Sequence, residues 1–178
     1  MKDNYPAALA FVWQPQFDSP SQGYHATPGD PGGGTYGGVI EQTWAHARAA
    51  GIVTGSLMGA SQDQLSTVLR SLFWGSVCDE LPAGVDLLMF NGRMMSGGFP
   101  RLFQQSLGLM GSDVDGWIGP DTLAAASGVH VPTFVNAVTG AHAAYLAALP
   151  TWGEFGNGWA ARLKEAQAAA WLLAGKVV

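Results

Sequence analysis

Apolar residues recur at helical spacing through most of the chain, and polar caps mark where helices begin. Ser61 to Gln64 has the form of a capping box, in which the two end side chains satisfy backbone N–H groups. The apolar positions after it keep the 3.6-residue period of a helix, which predicts one that ends near Trp74 and Gly75. These positions are Leu65, Val68, Leu69, Leu72 and Phe73.

Proline and glycine bound the other predicted helices, because proline suits the first turn of a helix and glycine follows the last. A helix over 40–50 turns Trp44 inward and stops at Gly51. Pro20 predicts that no earlier helix extends past Asp18. The chain is therefore predicted to be all-α, with further helices over 6–13, from 81, over 100–107, from 119, over 132–149 and through 159–170.

One stretch, Ser21 to Val39, departs from this pattern and is called the turn-rich segment. Its density of glycine and proline predicts a shaped loop that is neither helix nor strand. Four side chains in it carry chemistry: Tyr24, His25, Asp30 and Thr35. The alternative is a surface connection without a task, although unstructured loops of this length are uncommon in compact domains unless they are functional.

Composition narrows the classes of protein that fit. Charged residues make up 12% of the chain and the net charge is −5, which argues for a folded protein and against a nucleic-acid partner. The single cysteine, Cys78, excludes an internal disulfide and is expected to fill the core. No metal site or cofactor is predicted, because the histidines are scattered at His25, His46, His130 and His142.

The N-terminus lacks the pattern of a secretory signal, and the longest apolar run, near 168–174, is too short to insert into a membrane. We therefore expect a protein made in the cytoplasm. If it acts in the periplasm, at the cell wall or in a virion, another component must carry it there, such as a holin, a secretion route or the virion itself.

The turn-rich segment resembles the signature of glycoside hydrolase family 108, the lysozyme-like N-acetylmuramidase or secretion activator family of bacteria and phages. The resemblance implies a lysozyme-like helical domain with an irregular Gly/Pro-rich active-site loop, and peptidoglycan glycan strands as its target. The residues that match in register are Gly23-Tyr24, Pro28, Asp30-Pro31-Gly32-Gly33, Thr35 and Gly38-Val39.

The resemblance fails at the position that matters most, because this chain has Ser21 where the family has its catalytic Glu. Glycoside hydrolysis needs a carboxylic acid to protonate the leaving oxygen, and a serine hydroxyl does not ionise near neutral pH. The resemblance implies that Asp30 and Thr35 are the retained catalytic partners. Asp18 is the nearby carboxylate that could replace the acid; the alternative is a solvated residue at a helix end.

Candidate substrate contacts are Tyr24, His25, Trp44 and Asn91, since flat rings pack on sugar faces. Each ring is alternatively a packing residue, and Asn91 is alternatively a solvated polar group. In the family, Asp stands at the position of Asn91 and Asn at that of Met95, which are two further departures.

Val114 to Leu123 resembles an element of predicted peptidoglycan-binding segments that commonly follow the muramidase part. The resemblance implies a muramidase-like segment over 1–98 and a peptidoglycan-binding helical segment over 99–178, packed as one compact body. Within the element, Asp115-Gly116 predicts a turn and Gly119-Pro120 predicts a helix start.

Three hypotheses for function follow. The first is a peptidoglycan-directed, muramidase-family protein of phage or bacterial lysis or secretion type, whose catalytic site is lost or remodelled and which acts by binding the cell wall. The second is an active N-acetylmuramidase with Asp18 as its acid. The third is an interaction protein without a glycan role. A phage or secretion-system partner protein fits the first and third.

Overall fold

A computed structural model of the chain describes residues 3–26 and 33–175. The chain divides into two compact units. The loop unit is Tyr5–Gly75. The helical unit consists of two parts of the chain, the residues up to Asn4 and those from Ser76 onward. The predicted division at residue 98, and the packing of the two segments it separates, stay predictions.

The loop unit combines helices with one small sheet. Trp44 and Trp74 are fully buried in its core, and the edge of the Tyr5 ring meets Trp74 at a centroid distance of 5.4 Å. Its elements are α1 (Tyr5–Val12), β1 (His25–Ala26), β2 (Gly34–Tyr36), β3 (Val39–Ile40), α2 (Glu41–Ala49) and α3 (Gln62–Leu69), the last continued by a π-helical turn, Arg70–Trp74.

The helical unit is built around one buried helix. Every residue from Val85 to Gly92 is buried, and this helix packs against three others. Phe103 and Phe134 meet edge to face beside it, with centroids 5.1 Å apart. The helices are α4 (Gly75–Glu80), which starts at the last residue of the loop unit, α5 (Val85–Met95), α6 (Phe99–Ser106), α7 (Pro120–Ser127), α8 (Val131–Ala147) and α9 (Trp152–Gly175).

The all-α, lysozyme-like fold class is confirmed, since helices dominate both units. The capping box is present: the Ser61 hydroxyl accepts from the Gln64 N–H at 3.2 Å, and the Gln64 side chain accepts from the Ser61 N–H at 3.0 Å. None of the helices in the described ranges is both long and apolar enough to cross a membrane.

The expectation that the turn-rich segment contains no strand is wrong at its two ends. Three short strands pair there in the order β1-β2-β3, all antiparallel. The β2–β3 hairpin closes because Gly37 and Gly38 both take positive φ, at 56° and 79°. That is the backbone that a two-residue hairpin turn requires. The Trp13 indole N–H donates to the Gly37 carbonyl at 3.0 Å and fixes the turn.

The predicted helix opening at Leu81 begins four residues later, at Val85. Gly84 takes a φ of 88°, outside the helical region, so Leu81 to Gly84 forms a turn instead. The buried Asp86 carboxylate accepts from the Gly84 N–H at 2.8 Å and from the Leu87 N–H at 2.7 Å, which stabilises the turn. Desolvation raises the pKa of Asp86, and the Asn4 amide that also donates to it opposes this effect.

Candidate functional site

Ser21, predicted to stand at the family's Glu position, lies in a short turn that begins the turn-rich segment. Ser19 caps the turn, and its hydroxyl accepts from the Ser21 N–H at 3.2 Å. The two hydroxyl oxygens, Ser19 Oγ and Ser21 Oγ, are 2.7 Å apart. Ser21 is exposed while Ser19 is 7% exposed. The position thus presents a hydroxyl to solvent, held by a neighbouring hydroxyl.

Tyr24 lies across the small sheet. A Cβ atom at Gly34 would overlap the Tyr24 ring and hydroxyl, so the ring occupies the space that a side chain would fill. The Tyr24 hydroxyl donates a hydrogen bond to the Glu41 carboxylate, and this bond is the main reason that the pKa of Tyr24 is raised. A half-buried ring and an exposed carboxylate therefore stand together on this face.

The sheet brings His25 and Thr35 together as direct cross-strand partners, and Thr35 is paired in turn with Ile40. Residues directly opposite in adjacent strands project to the same face. His25 is exposed, and its Nδ1 lies 3.2 Å from the Gly23 carbonyl oxygen. Among the predicted site residues, the structure thus places Ser21, Tyr24, His25 and Thr35 in one turn-and-sheet region.

The two predicted carboxylates are placed less completely. Asp18 is half-buried, and its N–H donates to the Val12 carbonyl at 3.3 Å, which folds residues 13–18 back toward the end of α1. Asp30 lies outside the described residues. Its predicted role beside Thr35, and its separation from Asp18, stay predictions.

Two predicted substrate contacts are buried instead. Trp44 is 1% exposed, and its indole N–H donates to the Gly55 carbonyl at 3.1 Å, so the ring packs in the core and offers no face to a sugar.

Asn91 is also 1% exposed. Its Oδ1 accepts from Arg162 Nε at 2.8 Å, and its amide lies 3.4 Å from Met95 Sδ. Neither the predicted substrate contact nor a solvated side chain describes Asn91, because it links α5 to α9 inside the helical unit.

The Val114 to Leu123 element is organised by a buried glutamine that the sequence did not single out. Gln104 donates to Asp115 Oδ1 at 2.8 Å and to the Trp117 carbonyl at 3.0 Å, while its own Oε1 accepts from the Gly116 N–H at 2.7 Å. The Gln104 bond, followed by one from the Trp117 N–H, lowers the pKa of Asp115. Asp115 therefore serves the turn, as the sequence predicted.

Because it is exposed and bonded to Tyr24, Glu41 is a candidate site residue of the loop unit, one that sequence reasoning missed. It is the first residue of α2 and directly follows β3. A carboxylate in the first turn of a helix, just after a glycine hairpin, would have drawn attention if the hairpin had been predicted. No cluster of three His, Cys, Asp or Glu able to hold a metal occurs among the described residues.

Comparisons with known proteins give a family match for part of the chain and a similar solved structure for nearly all of it. Residues 22–97 match the family described as Glycosyl hydrolase 108, and the match begins one residue after Ser21. The chain is also similar to a solved structure titled "Structure of Brucella abortus SagA", at 27% identity and a TM-score of 0.84, covering 98% of this chain and 97% of that one. No curated protein sequence matches. The resemblance predicted from the turn-rich segment is confirmed.

Proposed function

We propose that this lysozyme-like, peptidoglycan-related protein binds glycan strands without cleaving them by the family's route, and the match to Glycosyl hydrolase 108 over residues 22–97 supports the proposal. The loop unit supplies the binding surface. The catalytic site is remodelled, because a serine replaces the group that would protonate the leaving oxygen.

One observation carries the proposal: Ser21 is exposed, and its hydroxyl is within 2.7 Å of Ser19 Oγ. General acid catalysis needs a group with a pKa near the working pH, and a hydroxyl does not meet that requirement. Removing such a group costs roughly 10²–10⁴ in rate, which is enough to abolish useful turnover.

Binding is supported by the groups that remain. Tyr24 offers a ring of fixed orientation, held over Gly34 and bonded to Glu41. Aromatic faces pack on apolar surfaces such as the C–H face of a pyranose, and a carboxylate accepts hydrogen bonds from hydroxyl and amide groups. His25 and Thr35 add polar groups on the same small sheet.

The setting that fits such a protein is a phage or bacterial lysis or secretion apparatus. A protein that holds murein without cutting it suits a component acting in the periplasm, at the cell wall or in a virion, beside a partner protein. This setting is part of the proposal.

Purified sacculi provide the test. We expect the wild-type chain to sediment with sacculi and to leave their turbidity unchanged. Ser21→Glu should gain clearing activity by roughly 10²–10⁴ over the wild-type background, since it restores the acid at an exposed position. Ser21→Gln, equal in shape but without the acid, is the matched control and should gain nothing. A wild-type chain that stays in the supernatant overturns the proposal.

One observation favours a second candidate, an active N-acetylmuramidase that uses Asp18. Asp18 directly precedes the Ser19 turn, and the backbone bond from Asp18 to Val12 folds residues 13–18 back toward the end of α1. Clearing by the wild-type chain that disappears in Asp18→Asn would establish this candidate and end the binding-only proposal.

A further inference from the structure

The helical unit has an exposed tryptophan, Trp117, whose backbone is fixed by hydrogen bonds to its neighbours. Trp117 is 68% exposed. Its backbone N–H donates to Asp115 Oδ1 at 2.8 Å, and its carbonyl accepts from the buried Gln104 at 3.0 Å. Both backbone groups are thus bonded, so the side chain is exposed on a fixed support.

Gly119 sets the orientation of the indole. A Cβ atom there would overlap the six-membered ring of Trp117. One face of that ring therefore lies against the Gly119 backbone, and the large exposed fraction belongs to the rest of the side chain. A flat apolar face of about the size of a pyranose is available to a ligand.

Trp117 lines two cavities. One, of about 300 Å³, is lined with Trp117 by Ser112, Asp113 and Asp121. The other, of about 570 Å³, is lined with Trp117 by Ser76, Glu80 and Ser127. Hydroxyls and carboxylates thus flank the ring, and these are acceptors for hydroxyl and acetamido N–H donors.

The charge of the lining restricts the ligand. Neither cavity has a lysine or arginine among its described lining residues, while carboxylates are present in both, so an anionic ligand is disfavoured. A protonated amine would suit the carboxylates, but sites for ammonium groups commonly enclose the cation in several rings. Trp117 is the only aromatic residue among the described lining of these two cavities.

We propose that Trp117 is the stacking platform of a second saccharide site, in which a neutral N-acetylated sugar packs on the indole and neighbouring sugars reach the two cavities. The identification of the ligand as a glycan rests on the proposed function. The site itself lies in the helical unit and involves none of the residues of the turn-rich segment.

A soluble oligomer of β-1,4-linked N-acetylglucosamine is the probe, followed by the indole N–H signal of Trp117 in NMR spectra. Trp117→Phe assigns that signal among the seven tryptophans. We expect a saturable shift of the signal in the wild-type chain. Trp117→Ala lacks that signal, so its affinity is measured by calorimetric titration beside the wild-type chain and should be lowered by roughly tenfold, the loss expected for one aromatic contact. Gly119→Ala should lower affinity as well, because its methyl group displaces the ring.

Met110→Ala is the matched control, since Met110 is 79% exposed and lines neither cavity. It removes exposed apolar area and should leave the affinity unchanged. Circular dichroism verifies that each variant is folded.

The outcomes separate the two proposals. If the Trp117 signal does not respond while the chain still sediments with sacculi, this inference is overturned and the proposed function stands. A response to the sugar oligomer in a chain that ignores sacculi supports the site and removes the proposed function. A response to a lysine-rich peptide and not to the sugar shows a cation site and overturns the inference.

Discussion

The Ser19 turn of the loop unit and the Asp115 turn of the helical unit differ in how their polar side chains are bonded. In the helical unit, the Asp115 turn is tied to a glutamine that is 1% exposed, and every polar group of that glutamine is used. In the loop unit, the Ser19 turn contains an exposed Ser21 whose hydroxyl lies 2.7 Å from the hydroxyl of Ser19. We infer that the Asp115 turn depends on its polar side chains for folding. The Ser19 turn should tolerate substitution of Ser21.

The difference teaches how to interpret a polar residue in a recognised motif. Asp115 has a lowered pKa, which is common for functional carboxylates. Here the cause is the set of hydrogen bonds that stabilise its own turn. The exposed Ser21, by contrast, has the hydroxyl of Ser19 as its side-chain partner and is tied to no network of the kind that holds Asp115. We therefore expect a substitution at position 21 to have little effect on the stability of the fold.

The largest effect should come from breaking the glutamine network. Gln104→Leu keeps the size of the side chain but removes its bonds to Asp115, the Gly116 N–H and Thr122, while Asp115 keeps the bond from the Trp117 N–H. We expect the free energy of unfolding to fall by about 3 kcal/mol, measured by urea denaturation. Gln105→Leu, on the exposed side of the same helix, is the control and should change little. Equal losses in both would contradict the contrast between the turns.

Acid should weaken the helical unit through His142, which is 1% exposed and lies 3.1 Å from Ser96 Oγ. Burial lowers the pKa of His142 from 6.5 to about 4. Between these values the unfolded chain binds a proton that the folded chain does not, so stability is lost as pH falls from 6.5 to about 4. The loss is at most about 3 kcal/mol.

The measurement is the free energy of unfolding between pH 7 and 4. His142→Gln should flatten the profile, while replacing the exposed His46 with Gln should leave it as in the wild-type chain. A profile that is unchanged in His142→Gln assigns the pH dependence to other groups.

A smaller loss is expected when the cap of the loop-unit turn is removed. Ser19→Ala deletes the hydroxyl that accepts from the Ser21 N–H, and caps of this kind contribute about 1 kcal/mol. Thermal unfolding compared with Ser19→Thr, which keeps a hydroxyl, isolates the cap. If Thr is as damaging as Ala, packing and not capping explains the loss.

The smallest change in stability is expected for Ser21→Ala, and it tests the contrast between the Ser19 and Asp115 turns most directly. Ser21→Ala should change the free energy of unfolding by less than about 0.5 kcal/mol, because the side chain is exposed. Its binding to sacculi should also persist, since the proposal assigns contact to Tyr24 and its neighbours. A loss of more than about 1 kcal/mol would show that Ser21 is structural, and that the two turns are alike.

Helices could be predicted from the sequence where local signals act alone. The capping box at Ser61 and the stop at Gly51, which takes a φ of 72°, are properties of a few consecutive residues. The sheet was missed although Thr35 to Ile40 contains a strand, a Gly-Gly turn and a second strand, because the surrounding prolines masked a short hairpin signal.

The site was harder to predict because it depends on contacts between distant residues. Nothing in the local sequence around Trp44 or Asn91 distinguishes a groove from a core, and burial by other elements decided both. The bond between Tyr24 and Glu41 joins residues on opposite sides of the hairpin, so it became visible only once the strands were paired.

The absence of a side chain at Gly34 restricts which residues homologous proteins can have at positions 24 and 34. Because the Tyr24 ring fills that volume, any larger residue at 34 would evict the ring and separate it from Glu41. Positions 24 and 34 are therefore not free to drift independently: among homologues, an aromatic residue at the first should occur with glycine at the second, and the two should be replaced together.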